Sequence, residues 1–212
     1  MKFWSDEIKD GAYIPTKYAA GAANLKGFAP NLNPPLAWSE VPEGVQSFVL
    51  ICHDPDAPST MEDVNKPDRE VPAATPRANF YHWLLIDLPA TLRQIKEGEF
   101  CNGFTVQGKA GPEAAYGSRQ GLNDYTNWFA GDAKMEGKYF GYDGPYPPGN
   151  DSILHRYIFS LYALAVPKLD MAANPFNGPQ LMVALAELQS QGSVLALSSF
   201  RGTYSTNPRL QP

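Results

Sequence analysis

Residues 47–53, Ser-Phe-Val-Leu-Ile-Cys-His, form an unbroken apolar run, and it stops at Asp54-Pro55, where proline removes a ladder hydrogen-bond donor. The run predicts a buried strand that opens into a rigid loop. Three more segments have the same character. Phe80-Tyr81-His82-Trp83-Leu84-Leu85-Ile86 is rich in aromatic and branched residues and ends at Asp87-Leu88-Pro89, residues 155–166 are closed by Pro167, and residues 194–204 have room for a fourth strand. Only one stretch has a clear helical pattern. After Asn177-Gly178, Pro179 suits a first turn, Leu181, Leu185 and Leu188 share a face, and Gly192 provides a stop. That stripe is core packing and calls for no cofactor. Thr91 to Gly98 reads as a further short helix or turn. Several strands with few helices and no regular strand–helix alternation predict a mainly β (α+β) fold with a mainly antiparallel sheet, and exclude a Rossmann or TIM-barrel pattern.

The chain of 212 residues is 43% hydrophobic, enough for one buried core, and is read as a single domain over 1–212. Its 20 prolines and 18 glycines are spread along the chain, which predicts rigid turns rather than low-complexity sequence. Residues 59–79 and 105–152 read as long connections, of the kind that carry function. The net charge of −5, with no basic run, excludes a surface that tracks nucleic acid. Met1 to Glu7 has no apolar signal region and no segment is long enough to span a bilayer, so a cytoplasmic location is expected. Cys52 and Cys101 lack metal-type spacing and read as ordinary reduced residues.

Of the three histidines, His82 and His155 stand at the predicted starts of strands, while Asp54-Pro55-Asp56-Ala57-Pro58 stands at the end of another. If strand 47–53 runs against the other two, all three meet at one sheet edge. Alternation puts His155, Tyr157, Phe159 and Leu161 on one face, so His155 and Tyr157 can line one pocket, and it turns His53 elsewhere, into packing. The plainer reading makes each histidine a strand-end residue with no ligand. Asp54 and Asp56 suit either a carboxylate pair of glycosidase type or a turn held by backbone donors, and for Asp56 the structural role leads. Pro55 and Pro58 are candidates for cis bonds. Gly144-Pro145-Tyr146-Pro147-Pro148-Gly149 is a rigid, donor-poor loop that either walls a cavity or forms an inert surface connection.

Together these residues resemble a known family. Asp54-Pro55-Asp56-Ala57-Pro58, His82-Trp83, Gly144-Pro145 and His155-Arg156-Tyr157 resemble the two signature regions of the phosphatidylethanolamine-binding family, in its bacterial and archaeal Raf-kinase-inhibitor-like branch. Asn33 to Ser39, Val41 to Gly44, Gly121 to Tyr125 and Phe200 to Tyr204 are also similar to that branch, so the likeness spans nearly the whole chain. The resemblance implies a large central antiparallel sheet packed on a smaller one with peripheral helices. It also implies a cavity for phosphate or another small anion, lined by Asp54, His82, Gly144, Pro145, His155 and Tyr157, with Asp56 and Pro58 in the pocket-forming loop, and a homodimer. Two departures stand out. Residues 59–79 are longer than the family's usual link, and 126–140 reads as an insertion carrying Trp128, Phe129, Met135, Tyr139 and Phe140, suited to cover the pocket or an interface. Tyr146 stands where many relatives have cysteine.

The first functional expectation is a non-catalytic binding protein that captures a phosphate-like anion or a phosphorylated partner, with both histidines donating as charged rings and Asp54 orienting one of them. The alternative is a metal-assisted hydrolase using His82, His155, Asp54 and Asp56, although the chain has no His-Glu-x-x-His, Cys-x-x-Cys or Gly-x-Ser-x-Gly pattern. Regulation of a kinase or protease partner is an expectation by analogy alone.

Overall fold

Backbone pairing resolves the apolar runs into two sheets in a computed structural model that describes residues 1–23 and 27–212. The strands are β1 (Lys2–Trp4), β2 (Leu36–Ser39), β3 (Ser47–Pro58), β4 (Arg77–Pro89), β5 (Gln94–Ile95), β6 (Arg119–Gln120), β7 (His155–Leu164) and β8 (Val194–Tyr204). The α-helices are α1 (Tyr125–Trp128) and α2 (Gly178–Ser190). A large sheet has the order β6-β4-β3-β7-β8 and a small one the order β1-β2-β5, and both are antiparallel.

The run at the head of β3 lacks a polar face because both faces are covered. Phe48, Leu50 and Cys52 join Trp83, Phe159 and Leu161 against Phe3, Leu36, Trp38 and Ile95 of the small sheet. Val49 and Ile51 join Leu84 and Ile86 under Leu181 and Leu185 of α2. Each such side chain taken from water contributes about 1.5–3 kcal/mol before chain entropy is counted. The helix begins as its residues predict: the Asn177 side chain accepts from the Gln180 backbone N–H, the Gln180 side chain accepts from Asn177, and Pro179 occupies the first turn. It ends at Ser190, and Gly192, two residues on, has a φ of +71° that suits a residue without a side chain.

Several expectations are corrected. Strand β3 does not stop at Asp54 but runs on to Pro58, and β4 begins at Arg77, so His82 lies inside a strand rather than at its start. The extension is possible because the pairing is interrupted. Cys52 pairs with Trp83 and His53 with Tyr81, leaving His82 as an extra residue, and Pro55 and Asp56 together oppose Asn79 between the Asp54–Phe80 and Ala57–Ala78 pairs. Proline is tolerated at such a bulge, where the ladder is already broken. Thr91 to Gly98, expected as a short helix or turn, holds β5 between two turns, and the stretch 105–152 contains β6 and α1. The cis bonds precede Pro112 and Pro175, so Pro55 and Pro58 are trans.

Candidate functional site

The bulge at His82 turns its ring toward the end of β7, and a pocket forms there. Its walls are Asp54, Ala57 and Pro58 from β3, Met61 beyond it, Phe80 and His82 from β4, Tyr125 and Trp128 from α1, Tyr146, Pro147 and Pro148, and His155 and Tyr157 from β7. The cavity between them has a volume of about 130 Å³, smaller than the clefts that enclose drug-sized ligands and suited to a small group.

Of the residues singled out from the sequence, Asp54, Pro58, His82, His155 and Tyr157 border this space. Asp56, Gly144 and Pro145 stand behind it. The Asp56 carboxylate accepts from the Arg156 backbone N–H at 2.9 Å and from its guanidinium at 2.7 and 2.8 Å. Burial alone would raise Asp56, but these bonds hold it below the usual carboxylate range. Gly144 donates its N–H to Asn31 and accepts from the Tyr125 hydroxyl, and the Pro145 carbonyl accepts from Ala20 and Gly21. The two fix the strap whose next three residues wall the pocket. His53 stays outside and lies against Tyr81, with a ring centroid separation of 5.9 Å.

His155 is clamped. Its Nδ1 donates to Asp54 Oδ2 at 2.7 Å and its Nε2 to Asp151 Oδ2 at 3.0 Å. Two ionised carboxylates can only accept, so the ring carries both protons. Burial acts to lower this histidine, yet the two acidic partners outweigh it and lift the ring to about 9. Arg77 completes the row with Nη1 and Nη2 on Asp151 at 2.5 and 3.1 Å, and it also donates to the Asp56 carbonyl.

His82 is the opposite case. Its Nδ1 bonds the Asp143 carbonyl oxygen at 2.7 Å, and a carbonyl cannot donate, so Nδ1 carries the hydrogen. Burial drives the ring down to about 4, with Asp54 opposing only in part. Beneath it the Asp143 carboxylate is held by Asn31, Lys109 and Asn123 at 2.6–2.8 Å, which fixes the carbonyl that orients His82. The expectation of two charged imidazole donors is therefore corrected: one ring is charged but fully engaged, and the other is neutral.

A further polar group on the wall is the Tyr157 hydroxyl, which is buried and has no hydrogen-bond partner among the described residues. Its ring meets His82 edge to face at 5.2 Å.

Sequence reasoning missed Asp151 and Asp143, polar residues inside a long connection, and Arg77, the first residue of β4, none of them marked by a motif. The segment 126–140 supplies Trp128 to the pocket, but Tyr139 and Phe140 are buried, with Tyr139 packed on Tyr125 and Phe104. The metal reading finds no support in the geometry. Asp56 is turned to Arg156, both His155 nitrogens are taken, and among the described residues no group of three or more His, Cys, Asp or Glu side chains could hold a metal ion.

An antiparallel two-sheet domain with a small pocket at its bulged strands defines the structural class. The family model for phosphatidylethanolamine-binding protein matches residues 4–205, so the chain belongs to the phosphatidylethanolamine-binding protein family. UPF0098 protein YbhB of Escherichia coli is 31% identical over 171 residues, 81% of this chain and 82% of its own. A UPF0098 protein of Aquifex aeolicus is 29% identical over 204 residues, 96% of this chain and 88% of its own. Among solved structures, Escherichia coli YbcL, described as a member of the mammalian PEBP family, shares the fold at a TM-score of 0.65 and 24% identity, covering 96% of this chain and 97% of that one. The putative homologue CT736 of Chlamydia trachomatis gives a TM-score of 0.58 at 27% identity and covers 96% of each chain. Among the described residues no helix is long and apolar enough to cross a membrane.

Proposed function

We propose that this chain is a non-catalytic binding protein whose pocket takes a phosphoryl head group, with the apolar remainder of the ligand lying along the aromatic wall. The observation that carries the reading is the unpartnered Tyr157 hydroxyl, fully buried at the pocket, because a buried hydroxyl without a bond costs about 1–3 kcal/mol and a ligand oxygen would recover it. Family membership supports the choice of a phosphoryl group. Phe80, Tyr125, Trp128 and Tyr146 give the rest of the wall an aromatic character suited to a ring or alkyl arm. A phosphorylated side chain of a partner protein has the same chemistry. Kinase or protease regulation, pairing as a homodimer and a cytoplasmic setting rest on family likeness and sequence reading alone.

Calorimetric titration with phenyl phosphate at pH 6 tests the reading. Saturable 1:1 binding is expected, and Tyr157→Phe, which removes only the hydroxyl, should weaken it roughly tenfold, since a bond to a charged group is worth about 1.5–3 kcal/mol. The reading fails if wild type shows no saturation, or if Tyr157→Phe binds as wild type does.

A further inference from the structure

The cations around the pocket are all committed. His155 is spent on Asp54 and Asp151, Arg77 on Asp151, Arg156 on Asp56, and Lys109 on Asp143. The wall itself carries no lysine or arginine among the described residues, while the Asp54 carboxylate forms part of it. A doubly charged phosphate would therefore enter beside a carboxylate with no free counter-charge, which low-dielectric surroundings penalise heavily.

His82 sharpens this constraint. Its Nδ1 holds the hydrogen on the Asp143 carbonyl, so the lone pair of the neutral ring is on Nε2, which has no partner among the described residues and belongs to a ring that borders the pocket. A bare phosphoryl oxygen against that atom would set lone pair against lone pair; a ligand hydroxyl would satisfy it. We propose that the pocket binds its phosphoryl group as the hydroxyl-bearing monoanion, the P–OH donating to His82 Nε2 and a second phosphoryl oxygen accepting from the Tyr157 hydroxyl.

The proposal rests on the reading of the ligand as a phosphoryl group and adds its protonation state. The titratable and charged groups facing His82 are Asp54 and His53 from β3, His155 and Tyr157 from β7, Tyr125 from α1, and Asp143, with Lys109 behind it, in the connections. Of these only Asp54 and Asp143 favour a proton on the ring, and burial outweighs them. The proton in the complex is therefore assigned to the ligand oxygen.

Two measurements test this. A phosphomonoester loses its second proton near pH ~6, so phenyl phosphate affinity should fall about tenfold for each unit above pH 7. A proton on His82 beside a dianion would give the same profile, so nitrogen NMR of ring-labelled protein at pH 6 with phenyl phosphate decides between them. The expected His82 Nε2 signal is that of an unprotonated, hydrogen-bond-accepting nitrogen. Glycerophosphoethanolamine, a lipid head group without a P–OH, should bind at least tenfold more weakly than phenyl phosphate at pH 6. Phenyl phosphate bound beside a doubly protonated His82 ring, or equal binding of the diester with its ammonium as the donor, overturns this proposal and leaves the phosphoryl pocket standing. Absence of saturable binding by phenyl phosphate overturns both.

Discussion

Replacing His155 by alanine removes the positive centre of a buried row of alternating charges, Asp54, His155, Asp151 and Arg77. His155 is 1% exposed, Asp54 3% and Asp151 0%. Deleting one member of a buried pair costs about 3–5 kcal/mol because the partner is left charged and dry. Here Arg77 still covers Asp151, and Asp54 still accepts from the Asp56 backbone N–H at 2.7 Å, so the lower end applies, about 3 kcal/mol. The proton affinity of the ring points to the same size. A rise from 6.5 to about 9, at ~1.4 kcal/mol per unit, is about 3 kcal/mol of charge-linked stability. With a urea slope of about 3 kcal/mol/M, the denaturation midpoint of His155→Ala should drop by about 1 M at pH 7. The pH dependence carries its own sign. Because the folded ring holds its proton more tightly than the unfolded one, the stabilisation is complete below about 6.5 and is lost as pH rises through about 9, roughly 2 kcal/mol between pH 7 and pH 9. His82 works in the other direction: its folded value near 4 lies below 6.5, so its contribution is present at neutral pH and is lost as pH falls from 6.5 through 4. Urea titrations of wild type and His155→Ala at pH 7, 8 and 9 should therefore converge as pH rises. A midpoint shift under about 0.3 M, or a gap between the two proteins that stays constant with pH, would refute the clamped imidazolium.

The segment 126–140 should divide into a structural and a binding part. Tyr139→Ala, at a fully buried ring, is expected to cost about 3–5 kcal/mol in chemical denaturation, whereas Trp128→Ala, at a ring 40% exposed, should change stability by less than about 1 kcal/mol and weaken phenyl phosphate binding; equal stability losses would sink the division. Gly144→Ala would place a Cβ 2.0 Å from the Tyr18 carbonyl oxygen, a backbone atom that cannot step aside, and should lower the melting temperature by about 4–8 °C for a loss near 2 kcal/mol. An unchanged melting temperature would show that the strap is free to move.

Much of the fold was legible locally. The β3, β4, β7 and β8 runs are marked by side chains that favour a pleated, buried surface, and α2 by a cap, a proline and a terminal glycine, all within a few residues of each other. Strand ends were misjudged at Asp54 and His82 because proline marks where a regular ladder must break, while a bulge permits the strand to go on after the break. Composition left the aromatic segment at 126–140 either over the pocket or at an interface, and nothing in its pattern distinguishes the ring that lines the cavity, Trp128, from the one that fills a core, Tyr139.

The sequence by itself determined that His155 and Tyr157 share one face of β7, since alternation along an unbroken strand is local geometry, and its ordered motifs were enough to point to the family. Only the tertiary structure decided what the two histidines are. His82 meets the Asp143 carbonyl across 61 residues and His155 meets Asp54 across 101. A ring's protonation follows from the groups that touch it and the water that has been excluded. Those depend on how distant segments pack, so two histidines that look alike in the chain become a neutral acceptor and a buried cation.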